Sequence, residues 1–442
     1  MRHWPTGNAG YKRAKQASPA GQNMNILFIH QNFPGQYKHL APELARMGHK
    51  CVALTLRVKK PTDWKGVKIL PYKIDRQQGG GVHPWLLDMD TKVIRGEACF
   101  LAARQLRDKG FVPDVIVAHP GWGEALFLRD VWPSARIGLY YEWYYGANEA
   151  GNSFDPEFAA ADAELDRMRL RIKNVNNLLN SPVADMALSP TQYQASRFPE
   201  HMRDKITVIH DGIDTDAVRP DASATLTLPD GTILTQQDEV VSFLNRNLEP
   251  FRGYHRFMRA LPRLLKERPN ARVVIVGADG TSYGAAAPKG QTWKQIYIDE
   301  VRAQIPDSDW ERVHFVGTLP YGAFLNLLQV TRAHIYLTYP FVLSWSLIEA
   351  MSAGTPILAS DTAPVREVIK QGQTGMLVDF FDADGMVDQL VNMLDDAPLR
   401  QRLGRAARAH VVTHYDLKTV SLPRMLEWIE TLAAMEPSAL PE

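Results

Sequence analysis

The chain predicts an α/β protein built as two doubly wound parallel-sheet domains facing each other across a cleft. Three observations carry this. Short apolar runs of strand length alternate with amphipathic, helix-length segments from residue 25 to beyond residue 430. At 442 residues the chain is too long for one ordinary core. A polar break at 221–238, rich in Asp, Thr, Gly and Gln, separates two stretches with the same alternation.

The totals narrow the class. Hydrophobic residues make up 45% and charged residues 22%, as in globular proteins. A net charge of +1, from 50 basic and 49 acidic residues, argues against a nucleic-acid partner. Cys51 and Cys99 form no metal-type pair, so neither a structural zinc nor a disulfide framework is expected. No apolar run reaches the ~20 residues that span a bilayer. Residues 1–23 are basic, contain Gly and Pro, and lack a signal peptide's apolar core. They read as a disordered tail on a cytoplasmic protein whose folded part starts at Met24.

The elements follow in order. Asn25 to His30 is a buried-strand run, and a loop through Gly35 leads to a helix over 37–47. Strands are expected at 50–56, 115–118, 136–141, 187–189 and 205–209, with helices at 92–109, 124–131 and 192–197 between them. After the break come strands at 240–244, 272–276, 313–316, 333–337 and 356–359. Helices over 254–267, 291–304, 321–329 and 344–352 separate them, and helical patterns at 383–394, 398–413 and 418–435 close the chain. The domains are therefore expected at 24–215 and 239–413, joined by a linker at 216–238. A last helix in 414–442 is able to cross back to the first domain. Ligands of such sheets bind at the carboxyl ends of the strands, so the interdomain cleft is the expected site.

Several segments place chemistry at those ends. Glu349 is a lone acid in the apolar run that opens the stretch 340–361, costly to bury without hydrogen-bond donors or a hydroxyl-bearing ligand. Gly35 lets backbone approach a phosphate at the first helix, or simply forms a tight turn. His119, just past the 115–118 strand, suits a sugar hydroxyl or caps a helix. Tyr141, Glu142 and Trp143 lie in an aromatic strand end that suits an acceptor or fills a core corner. Arg246 and Arg252, six residues apart after the 240–244 strand, make a diphosphate clamp or a charged surface loop. Asp88-Met89-Asp90 has the form of a metal–diphosphate triplet, which arises readily by chance. The helix at 92–109 mixes apolar and basic residues, consistent with packing on its sheet or with peripheral contact with an anionic membrane.

Taken together, ILFIHQNFPGQYKHLAPELARMGH, VIHDGIDTDAVRP, LNRNLEPFRG, VHFVGTLPY and SLIEAMSAGTPILASDTAPVREVI, in this order, resemble the retaining glycosyltransferases of family 4, with the GT-B fold. The resemblance implies transfer of a sugar from a nucleotide diphosphate sugar to an acceptor hydroxyl, with no obligatory metal or other cofactor. It implies Gly35 beside the diphosphate, His119 at the donor sugar, and Arg246 and Arg252 on the phosphates, Arg252 replacing a usual lysine. It places Thr318 and Leu319 at the nucleobase, Ser344 and Trp345 at a helix amino terminus near the phosphates, and Glu349 on the ribose. Family members usually carry two glutamates separated by seven residues; here the first position is Phe341. That substitution keeps open a non-catalytic nucleotide-sugar-binding protein of the same fold. A sugar-nucleotide epimerase using Glu142 and Glu149 is a further alternative. No side-chain pattern distinguishes among donor bases, and none speaks to oligomeric state.

Overall fold

A computed structural model describes residues 23–146 and 153–439. The expected tail, apart from Asn23, and Glu149 lie outside the described residues. In the first domain β1 (Asn25–Ile29), β2 (Lys50–Thr55), β3 (Thr62–Trp64), β4 (Val67–Pro71), β5 (Val115–Ala118), β6 (Arg136–Tyr140), β7 (Met186–Ser189) and β8 (Ile206–Val208) form one sheet. Its order is β3-β4-β2-β1-β5-β6-β7-β8, parallel except where β3 turns back on β4 at the edge. β9 (Leu226–Thr227) and β10 (Ile233–Leu234) form a hairpin. In the second domain β11 (Glu239–Asn247), β12 (Ala271–Ala278), β13 (Val313–Gly317), β14 (Ala333–Tyr336), β15 (Ile357–Ser360) and β16 (Met376–Val378) form a parallel sheet ordered β13-β12-β11-β14-β15-β16.

Both sheets have helices on both faces, which is why β5 is apolar along its whole length and buried, as are Ile26 to Ile29 of β1. In each sheet the winding reverses once, between β1 and β5 and between β11 and β14. Loops leaving such neighbouring strands diverge and open a crevice at their carboxyl ends. The two crevices face one another.

Some local expectations change. The helix expected over 124–131 forms only at Leu128–Val131, because Gly123, at φ 104°, ends the preceding turn and the chain has not yet settled into a helix. The stretch expected to be a polar linker carries the β9–β10 hairpin. Its Leu226, Leu228 and Leu234 are buried against Val240, Val274 and Leu327 of the second domain. The helix Leu87–Asp108 buries Ile94, Cys99 and Ala103 on the first sheet. Among the described residues no helix is long and apolar enough to cross a membrane.

The chain passes between the domains at 210–215 and again at 415–418, and the two passages pair. The Ile213 amide donates to the Tyr415 carbonyl at 2.9 Å and the Leu417 amide donates to the Ile213 carbonyl at 2.8 Å. Gly212 sits at φ +82°, and a Cβ there would stand 2.7 Å from Ser421, so only glycine fits this crossing. Beyond it, helix Leu422–Ala433 returns to the first domain, burying Trp428, Ile429 and Leu432 with Phe28 and Val117.

At the same junction Asp211, 5% exposed, ties the domains together. It accepts from the Tyr140 hydroxyl at 2.9 Å and from Trp345 Nε1 at 2.7 Å. Burial pushes its carboxyl up to about 6. The native state therefore holds a proton that the unfolded chain releases at lower pH. Stability from this group is fullest below the ordinary aspartate range, falls as pH rises toward about 6, and stays reduced above it. Asparagine is nearly isosteric with the protonated acid. Asp211→Asn is expected to match the wild type near pH 4 and to exceed it at pH 7.5 by about 2 kcal/mol, as read by denaturant unfolding at both pH values. Equal stability at pH 7.5 would refute the buried-charge penalty.

Candidate active site

The second sheet's crevice holds a cavity of about 420 Å³, a size that suits a nucleotide. Its floor is the end of β11, Leu244 to Asn247, followed by Glu249 and Arg252. Thr318 and Leu319, past β13, form one side with Tyr321, and Ser344 to Ser346 with Glu349 form the other. The structure thus brings Arg246, Arg252, Thr318, Leu319, Ser344, Trp345 and Glu349 to one cavity.

The two arginines differ. Arg246 is exposed at the cavity edge. Arg252 is buried: Nη1 donates to the Thr338 hydroxyl at 2.7 Å, and Nη2 donates to the Val342 carbonyl at 3.3 Å. Its guanidinium lies 5.0 Å from the Tyr283 ring centre. It is a pre-placed cation with donors to spare. Ser344 caps helix Trp345–Ser352, accepting from the Ser346 amide, while its own amide donates to the Tyr336 hydroxyl. The positive amino-terminal end of this helix consequently lines the cavity. Glu349, 8% exposed, accepts from the Tyr321 hydroxyl at 2.8 Å, and burial raises its carboxyl above the usual range.

Phe341 stands between the domains. Its ring centre lies 4.6 Å from Trp143 of the first domain and 5.0 and 5.1 Å from Phe251 and Tyr283 of the second. A carboxylate at this position would be desolvated among rings.

The first sheet's crevice carries a polar cluster. His30 follows β1 and His119 follows β5, with ring centres 5.4 Å apart. His119 is stacked between Trp122 at 4.3 Å and Tyr140 at 5.6 Å. Gly35 has φ +46°, and a Cβ there would stand 2.3 Å from His30 Nε2, so the loop after β1 closes onto His30 only with glycine. Burial, then the nearby His119, lowers His30 to about 3, so it is neutral at physiological pH. Glu142 lies beside both histidines: Oε1 accepts from Gln36 Nε2 at 3.1 Å, and Oε2 is 3.5 Å from His119 Nε2. Burial pushes this carboxyl up, but His119, His30 and Gln36 outweigh it and hold it below the usual range.

Tyr141 is not brought to the cleft. It is 1% exposed, with its ring stacked on Phe198 at 4.6 Å in the core. Trp143 reaches the interface through Phe341. The Asp88–Met89–Asp90 triplet lies in the first turn of helix Leu87–Asp108, and Asp88 pairs with Lys92 at 2.7 Å. Among the described residues one group has metal-ligand spacing, Asp155, Glu157 and His255. Its central Asp155 is fully buried and already accepts from His255 Nε2 at 2.8 Å, Arg256 at 3.0 Å and the Tyr339 hydroxyl at 3.0 Å. It anchors the first domain's crossover to the second domain.

Sequence reasoning passed over Glu249, His30, Gln36, Tyr283 and Asp211. Glu249 is 1% exposed and accepts from the amides of Ser282, Tyr283 and Gly284 at 3.1–3.2 Å. It holds the loop whose Tyr283 covers Arg252. Its one signal was an acid within NRNLEPFRG, directly before a proline turn.

Two parallel-sheet domains, the second with a nucleotide-sized cavity at its strand ends, make a GT-B-type fold. Residues 47–218 match the family described as Glycosyl transferase family 4 group, and residues 232–410 match Glycosyl transferases group 1. The chain belongs to these glycosyltransferases and is an enzyme of that class acting with nucleotide-sugar donors. It is 26% identical over 426 residues to a glycogen synthase of Mycobacterium tuberculosis, covering 90% of this chain and 92% of that protein. It is 27% identical over 315 residues to a D-inositol 3-phosphate glycosyltransferase of Streptomyces avermitilis, 66% of this chain and 62% of that protein. Among solved structures, a sucrose-phosphate synthase from Thermosynechococcus elongatus aligns with TM-score 0.69 at 16% identity, over 93% of this chain and all of that one. Anabaena HepE, in complex with UDP-glucose, aligns with TM-score 0.64 at 16% identity, over 92% of this chain and all of that one.

Glu249→Ala removes one acceptor shared by three amides. It is expected to cost about 3 kcal/mol in denaturant unfolding and to weaken nucleoside diphosphate binding as Tyr283 loosens. A variant of wild-type stability would show that the loop holds itself.

Proposed function

We propose that the chain is a retaining, metal-independent transferase that moves a sugar from a nucleoside diphosphate to an acceptor hydroxyl. The observation that carries this reading is the pairing of Arg246 and Arg252 with a helix amino terminus on one cavity. These are two cations and the positive end of a helix where a diphosphate would lie. Thr318 and Leu319 would meet the nucleobase and Glu349 the ribose hydroxyls. The Gly35 loop and His119 would face the diphosphate and sugar from the first domain, and Trp143 would border the acceptor. As the bond to the diphosphate breaks, Arg246, Arg252 and the helix amides stabilise the charge gathering on its oxygens. The acceptor hydroxyl attacks from the face the diphosphate leaves and gives its proton to that diphosphate. HepE, of the same fold, is described with UDP-glucose, which makes UDP-glucose the first donor to test.

Arg246→Ala with Arg252→Ala is expected to weaken nucleoside diphosphate binding about 100-fold and to lower kcat/KM further. Calorimetry and release of nucleoside diphosphate read the two effects. Undiminished turnover in the double variant would overturn the assignment. Turnover is expected to survive exhaustive chelation, and the product's anomeric configuration by NMR is expected to match the donor's. A rate that chelation abolishes and magnesium restores would refute metal independence.

A further inference from the structure

We infer that Glu142, from the first domain, is the carboxylate that faces the transferred sugar and stabilises the positive charge developing at its anomeric carbon. The inference rests on the transferase reading above and assigns Glu142 to the donor sugar in place of the acceptor.

Placement comes first. Glu142 lies two residues past β6, between Tyr140 and Trp143, and both of these are linked to the second domain. Tyr140 bonds Asp211, which bonds Trp345 of the cavity wall. Trp143 packs on Phe341. Glu142 therefore lies between two chain positions tied to the second domain, one of them through Trp345 of the cavity wall. Its side chain keeps 32% of its surface exposed.

Orientation comes next, and backbone amides fix it. The Gly121 amide donates to His119 Nδ1 at 3.1 Å, so in the neutral ring the proton sits on Nε2, the atom nearest Glu142. The Asn32 amide donates to His30 Nδ1 at 2.9 Å, so His30 Nε2 donates to Gln36 Oε1 at 2.7 Å. That turns the Gln36 amide nitrogen toward Glu142 Oε1. Two backbone amides thus set two tautomers and one amide orientation, all aimed at one carboxylate. Gln36 and His30 are positioning residues in this network.

The alternatives are occupied. Of the two acids that line the cavity, Glu249 is held by three amides and Glu349 by Tyr321. In the step itself the bond from the anomeric carbon to the diphosphate oxygen breaks, and its electron pair leaves with the diphosphate. A bond forms to the acceptor oxygen, and the acceptor proton passes to the diphosphate. Glu142 forms no bond and takes no proton. It remains an anion beside the carbon that becomes electron-poor.

The test compares wild type, Glu142→Gln and Gln36→Leu with UDP, UDP-glucose and a panel of other nucleoside diphosphates and their sugars. Glu142→Gln is expected to lower kcat about 100-fold while UDP affinity stays within about two-fold, since no diphosphate contact changes. Gln36→Leu is expected to lower kcat about ten-fold, again with UDP affinity unmoved. Glu142→Gln turning over as fast as the wild type would overturn the inference and leave the transferase reading intact. So would a loss of kcat matched by an equal loss of UDP affinity, which marks a collapsed cleft. A wild type that binds no nucleotide sugar would overturn both readings.

Discussion

The cleft depends on one buried carboxylate. Asp211 lies where the chain first leaves the first domain and accepts one hydrogen bond from each wall, Tyr140 on one side and Trp345 on the other. Each partner fixes further geometry. Tyr140 stacks on His119, and so sets the plane of the ring beside Glu142. Trp345 opens the helix that carries Glu349, and Lys38 of the first domain lies 4.4 Å from its ring. Burying an anion at this point is costly. The return is register: both walls are held relative to one atom pair, and the bonds form only when the two domains are brought together.

Phe341 shows the same economy in apolar form. The resemblance called for a glutamate there, and the structure supplies the last face of a cluster that includes Trp143, Phe251 and Tyr283. Aromatic pairs of this kind add roughly 0.5–1.5 kcal/mol beyond the area they bury. An acid in the same place would be desolvated among those rings. The interface gains a hydrophobic contact across the cleft and has no carboxylate at that position.

Much of this was legible in the chain. The strand runs of both sheets are apolar because both faces are covered, so they stand out without any knowledge of their partners. Helix 254–267 was located residue for residue. What escaped depends on distance along the chain. Asp211 lies 71 residues from Tyr140 and 134 from Trp345, and nothing in HDGID announces either partner. Leu226, Leu228 and Leu234 are spaced too widely among polar residues to mark a buried hairpin until the β11–β12 surface is present to receive them. Tyr141 is different, because a usable signal was there. Side chains alternate along a strand, so with Tyr140 and Glu142 on the cleft face, Tyr141 had to point into the core toward Phe198.

Where a diphosphate and its sugar would lie, the two domains offer groups of opposite sign, and this bears on how the cleft would work. The second domain presents Arg246, Arg252 and a helix amino terminus; the first presents Glu142, kept ionised by its neighbours. Heterolysis of a sugar–diphosphate bond moves negative charge toward the oxygens and leaves positive charge on the carbon. A substrate lying with its diphosphate in the second domain and its sugar toward the first would have that dipole grow along the existing field. Coulomb stabilisation depends on distance and medium, not on which domain supplies the charge. An acid absent at 341 is therefore replaceable from across the cleft, provided the domains are held at a fixed separation. Asp211 sets that separation. The buried Asp211 and the proposed charge-stabilising carboxylate, Glu142, are on this view parts of one arrangement, in which the latch holds the field in place and the field acts on the bond.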